Sequence, residues 1–435
     1  MVSTSYRENH YVAQWYQRRF LPAVGEKKFH YLDLKPDQFR DPNGVLRQKK
    51  ALNRWGTDRC FKQTDLYTTR FGAWESTEIE QLFFGRVDTD GRDAIEYFAT
   101  FTHPDANESA FTHLLNYMSV QKLRTPKGLA QLAAMTGMHD SNAVLLAMQQ
   151  LQNLYCAIWT EAVWTLIDAT QTQTKFILSD HPVTVYNREC FPGSESCRDF
   201  RDPDIRFVGT HTIFPLSPSR TLVLTNHSWV RNPYARATRL RPNHNFFRAA
   251  MFYFPSIQAG RELTEVEVNQ INFIIKKRAY RYIAAADEAW LHPERHIPSE
   301  HWRKLDDLYL LMPDPRSDTV SEEIIIGYDN RRSDSFDAYG RRPGQPGFKD
   351  ENLAKQERET HYAFQGEYAR LFGPKRRGIS GDFGGRQKSE DSPDFHQWHL
   401  SLEQKYGRPG AHARGGNRVS QRKERRKHRK MMEPR

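Results

Sequence analysis

Apolar residues recur at helical spacing through most of the first three hundred positions, broken by short runs that alternate instead. Val12, Trp15, Tyr16 and Phe20 repeat behind Asn9, which can cap a helix from His10 to about Phe20. Arg18 and Arg19 suit its last turn, and Pro22 and Gly25 end it. Phe29-His30-Tyr31-Leu32-Asp33-Leu34 alternates like a strand that Pro36 stops. Helical patterns resume over 75–84, 92–101 and 108–123, and Pro126 opens another at a position it tolerates. The longest helical pattern runs from Asn142 to Ala169. Strands are predicted at 174–178, 183–186, 207–214 and 219–226. Thr264 and Glu267 then form a capping-box pattern for a helix reaching about Ala286, and a shorter helix near 302–311 closes the body.

Helices first and strands later predict an α+β fold, a mainly helical body with a small, largely antiparallel sheet. From Asp314 onward Arg, Asp, Glu, Gly, Pro and Ser dominate. The expectation is a single globular domain over 1–313 and a low-complexity, mostly disordered extension over 314–435, with a stray strand at 322–327 and a short helix at 361–372. Charge sharpens this division. Residues 405–435 hold twelve Lys/Arg against two Glu, a net of +10, so only +1 of the chain's +11 is left for residues 1–404. The body is near neutral, and RNA or DNA is the expected partner of the basic tail 405–435 alone.

The four cysteines, Cys60, Cys156, Cys190 and Cys197, have neither C-x-x-C nor zinc-ligand spacing. Cys190 and Cys197, with six residues between them in a Gly/Ser/Asp-rich loop, could pair in an oxidising compartment. The opening residues have no apolar core of a signal peptide, and no stretch approaches the roughly eighteen apolar residues of a membrane span. A cytoplasmic protein with free thiols is the expectation, with no membrane partner.

Candidate chemistry centres on Phe176-Ile-Leu-Ser-Asp-His-Pro-Val183, where three apolar residues run into Ser179, Asp180 and His181 before Pro182 cuts the strand. Asp180 could orient an imidazole, ligate a divalent metal or act as general base. It could equally satisfy backbone N–H groups, with Ser179 capping a turn. His10 and Gln14, four apart, would share one helix face. Gln121-Lys-Leu-Arg-Thr-Pro126 ends one helix and starts the next, where Arg124 could clamp a phosphate or simply form an ion pair. His211, Asn269 and Asn272 are more often structural, and a buried Asn needs a partner. No P-loop, dinucleotide, flavin, zincin or nucleophile-elbow motif is present.

Three blocks together resemble a mainly microbial family, number 4238 among the domains of unknown function. Asn9-His-Tyr-Val-x-Gln-Trp-Tyr-x-Arg-Arg-Phe20 is similar to its H-H-Y-V-P-Q-F-Y-L-R-R-F opening, Gln121-x-x-Arg-Thr-Pro126 to its Q-x-x-R-T-P block, and Phe176–Val183 to its F-I-T-S-D-N-P-V block. The helix with Asn272 fits more loosely, and the resemblance covers about 8–290. Asn9, Ala13 and His181 depart from the family's His, Pro and Asn. The resemblance implies that His10, Gln14, Arg124, Ser179 and Asp180 meet in space, but carries no activity.

Two functions follow as expectations. One is a hydrolase or nuclease-like enzyme on a phosphate-containing or nucleic-acid substrate, with His10, Ser179 and Asp180 catalytic and Gln14, Gln121, Arg124, His181 and Asn272 binding. It leaves room for a divalent metal. The other is a non-catalytic binding scaffold in which these residues form a structural hydrogen-bond network.

Overall fold

The computed structural model describes residues 8–22, 25–64, 66, 69–71, 74–76, 85–102, 107–137, 141–242, 254–305, 308–317, 323–327, 329–337, 341–381 and 388–407. The fold is α+β. Two sheets organise it, and they are larger than the single small sheet expected. One has five strands, in the order Thr184–Asn187, Thr210–Pro215, Arg220–Asn226, Ala162–Asp168, Gln258–Glu262. Its pairings are antiparallel except the last, which is parallel. The other has four, in the order Leu178–Ser179, Tyr282–Ala285, Lys28–Asp33, Leu52–Gly56, all antiparallel.

Both central strands escape the helical pattern. The helix predicted to reach Ala169 ends at Thr160, and Ala162–Asp168 becomes the strand that joins Arg220–Asn226 to Gln258–Glu262. Val163, Thr165 and Ile167 alternate with Trp164 and Leu166, a period the preceding apolar helix masked. The capping-box helix likewise stops at Arg278, and Tyr282–Ala285 follows as a strand. The first predicted helix is shorter too. Glu8–His10 pairs with Lys62–Thr64, and only Gln14–Arg18 is helical. Asn9 therefore caps no helix, and its side-chain oxygen accepts the Leu66 N–H at 2.9 Å. Of the helix expected over 75–84, residues 77–84 lie outside the described residues, and Trp74–Ser76 is a strand.

Helix Glu108–Leu123 appears as read, capped by Asn107. Two residues, Arg124 and Thr125, turn it into helix Pro126–Thr136, with the Thr125 hydroxyl accepting the Gly128 N–H. A Cβ on Gly128 would collide with the Lys122 and Leu123 carbonyls, so the close turn needs glycine there.

Ordered structure continues past Asp314, against the expectation of disorder. Helix Glu351–Phe372 buries Phe364 and Tyr368 in a cluster with Trp229, Val230, Tyr309 and Met312. Its apolar residues are spaced for one face, which bulk composition concealed. Helix Pro393–Tyr406 packs on it through Gly366, where a Cβ would strike the Glu403 backbone, and through Arg370 and Glu403 at 2.8 Å. The basic run from 408 onward lies outside the described residues.

Candidate functional site

The motif strand ends where backbone donors converge. Ile177 N–H donates to Asn272 Oδ1 at 3.2 Å, and Asn272 Nδ2 donates to Lys175 O at 2.8 Å. Asn272 is thus a buried bracket on the entering strand, occupied by backbone rather than turned to a substrate. Asn269 beside it donates to Glu265 O. Ser179 pairs with Ile283, and its hydroxyl accepts the His181 N–H at 3.2 Å.

Asp180 is 2% exposed. Its Oδ1 accepts the Tyr280 N–H at 2.8 Å, and its Oδ2 accepts those of Arg281 at 2.6 Å and Tyr282 at 2.8 Å. The carboxylate thus ties the motif to the turn between helix Glu265–Arg278 and strand Tyr282–Ala285. Burial pushes its carboxyl up, and the three N–H groups, with Lys127 behind them, oppose that rise.

Arg124 is also buried. It donates through Nε to Gln121 Oε1 at 2.8 Å, forms an ion pair with Asp88, a terminal nitrogen lying 2.8 Å from Oδ1, and lies over the Tyr117 ring. Gln121 in turn donates to Tyr11 O at 2.8 Å. The guanidinium is neutralised by Asp88, which argues against the phosphate-clamp expectation. His10 and Gln14 meet as expected, Nε2 to Nε2 at 3.2 Å, but from a strand and a short helix rather than one helix face.

His181 leads to a cluster the sequence did not announce. The ring is 0% exposed, with Nδ1 2.6 Å from Thr125 Oγ1. Its Nε2 lies 2.7 Å from Lys122 Nζ and 3.0 Å from Asp202 Oδ2. Lys122 also pairs with Asp202 Oδ2 and donates to Val183 O, while Lys127 pairs with Asp202 Oδ1 at 2.5 Å and donates to Arg278 O at 2.7 Å. Two ammonium groups, one carboxylate and one imidazole therefore share a buried space between the helix junction, the motif strand and the loop at Asp202.

The electrostatics follow from that crowding. Burial, with Lys122 beside it, holds His181 down to about 3, so the ring is neutral. Burial holds Lys122 down to about 8 against the pull of Asp202. Burial would raise the Asp202 carboxyl, but Lys122, Lys127 and His181 overwhelm it and set the group well below the ordinary range. His211, bonded to Thr225 Oγ1 at 3.0 Å, is also held near 3 by burial. Among the described residues no group of three or more His, Cys, Asp or Glu could hold a metal ion.

One sequence signal pointed at Lys122. Leu114, Leu115, Tyr117, Met118, Val120 and Leu123 place apolar residues all round the end of helix Glu108–Leu123, so a lysine among them must enter a polar pocket. Asp202, in a polar loop, carried no such mark.

The model of a family described as a protein of unknown function, DUF4238, matches residues 136–289. That segment is similar to the family. It contains the Ser179-Asp180-His181 strand end, Asp202 and Asn272, whereas the blocks around His10 and Gln121–Pro126 precede it. No curated protein and no solved structure matches the chain. No described helix is long and apolar enough to cross a membrane.

Proposed function

We propose that the chain is a non-catalytic nucleic-acid-binding protein. In this reading the motif residues build its frame, and helix Pro393–Tyr406 with the following cationic run makes the contact. The carrying observation is a pair of rings. Phe395 and Trp398 are 40% and 43% exposed and stack on each other at 5.4 Å between centroids and 6° between planes. Arg376, its side chain buried and paired with Asp391 at 2.7 Å, braces the Phe395 ring from 5.8 Å. The last turn of the same helix carries Lys405, the first of the tail's twelve cations.

Exposed aromatic faces beside positive charge suit single-stranded RNA or DNA, because any base offers a π-face and the backbone offers phosphates. Buried partners on Asp180, Arg124 and Asn272 support the frame reading of the motifs. A labelled oligothymidylate titrated against the full chain across a salt series tests the proposal. Affinity should fall steeply with salt, and deleting 408–435 should flatten that slope. Unchanged binding after the deletion would overturn it.

A hydrolase-like enzyme is the second reading, and what favours it is Lys122, held near enough to neutrality to exchange a proton. Its centre would be Lys122, Asp202 and His181 rather than Asp180. Loss of a nucleic-acid or phosphoester turnover in Lys122→Met, with the fold retained, would establish it; wild-type protein without turnover would remove it.

A further inference from the structure

The loop between strand Thr184–Asn187 and Asp202 brings two thiols together. Cys190 and Cys197 are free and buried, 1% and 2% exposed. Cys197 N–H closes a turn on Ser194 O at 2.9 Å, and its sulfur lies 3.7 Å from Cys190 O. Only a thin cover separates them from water, since Phe191, Pro192, Gly193, Glu195 and Ser196 between them are exposed.

A cation sits on this pair. Arg278, the last residue of its helix, donates to Cys190 O and stacks 4.8 Å over Trp302, which sets its positive charge beside Cys197. The neighbouring Cys190 thiol, with Arg278, holds Cys197 down to about 6. Burial and Asp202 oppose that shift, and Cys190 is pushed up in exchange. Burial pushes Cys60 and Cys156 up, so neither is a ready thiolate.

We propose that Cys190 and Cys197 form a peroxide-reactive dithiol, a redox modification site that closes to a disulfide. The Cys197 thiolate attacks one peroxide oxygen, the O–O bond breaks, and Cys197 sulfenic acid and hydroxide form. The Cys190 thiol gives its proton to that hydroxide, making water, and its sulfur attacks Cys197 sulfur. The second hydroxide leaves and takes up the proton Cys197 had released. Two thiols lose two electrons, and one hydrogen peroxide becomes two waters. Arg278 is a positioning residue that keeps Cys197 ionised.

The test uses the full chain, hydrogen peroxide and tryptic mapping. No Lys or Arg separates the two cysteines, so Glu189–Arg198 holds both. After peroxide this peptide should be two hydrogens lighter and refuse iodoacetamide, and dithiothreitol should restore it. Closure should outpace oxidation of Cys60 and Cys156 by about tenfold or more. Cys190→Ser should leave a sulfenic acid on Cys197 that dimedone traps, and Arg278→Gln should slow the reaction while Arg278→Lys keeps most of it. The proposal is overturned if wild-type Glu189–Arg198 stays a dithiol while Cys60 or Cys156 oxidises.

Discussion

Asp180 holds the backbone N–H of Arg281 at 2.6 Å, while the Arg281 guanidinium turns away to Asp33 at 2.8 Å. One residue thus ties the motif strand, through its main chain, to a neighbouring strand's acid, through its side chain. The same Asp180 also takes the N–H groups of Tyr280 and Tyr282. A carboxylate with both oxygens committed to three backbone donors acts as a clasp.

Asp180→Asn should therefore weaken the fold. An amide NH₂ would face backbone donors, and one N–H at least would lose its acceptor, at about 1–3 kcal/mol. Urea unfolding checks this. A variant as stable as wild type, or more stable, would mark Asp180 as a functional carboxylate.

Arg124→Met should cost about 3 kcal/mol, the low end for breaking a buried pair, because Asp88 keeps 26% of its side chain in water. Thermal melting with added inorganic phosphate is the check. Phosphate should shift neither wild type nor variant, and a wild-type shift that Arg124→Met abolishes would restore the clamp.

Acid should destabilise the protein early. His181 and His211 are held near 3, while in the unfolded chain both titrate near 6.5. Below 6.5 the unfolded chain binds protons that the folded chain refuses. Stability thus falls as pH drops from 6.5 toward 3, by about 1.4 kcal/mol per pH unit for each ring. Asp202 adds a loss below its unfolded value of 3.8, since its stabilisation is present above 3.8 and disappears as pH falls through its depressed folded value. Urea midpoints at neutral pH and near pH 5 measure the slope, and His211→Gln should remove about half of it above pH 4. Equal midpoints would contradict the buried, neutral rings.

Phe364 lies in the region whose composition reads as disorder, yet it is 0% exposed. Phe364→Ala should cost about 3–5 kcal/mol. Truncation after residue 407 should leave the melting temperature unchanged, and truncation after residue 313 should lower it by uncovering Trp229, Val230 and Met312. A truncation at 313 that melts like the full chain would show that the helices beyond it add nothing.

Legibility in the sequence tracked locality. The capping box of Thr264 and Glu267 is a contact within three residues and was readable, whereas the cap at Asn107, equally local, was not read. Strand Ala162–Asp168 was not, because an apolar helix flows into it without a breaker. The motif blocks contain Lys122, Asp180 and His181 but not the residues these meet. Asp202 meets Lys122 across 80 positions, and Asp180 meets Tyr280 across 100. Pairings at that range come from the fold, and a polar loop such as 201–204 looks the same whether or not it is buried.

The division of labour between frame and contact surface is tested most directly by oligothymidylate affinity at fixed salt, measured on two variants of the full chain. Asp180→Asn, below its melting temperature, should bind like wild type. Phe395→Ala/Trp398→Ala should melt like wild type and lose about tenfold or more in affinity, as expected for removing a base-stacking platform. Lost binding in Asp180→Asn with full binding in the aromatic variant would contradict the account.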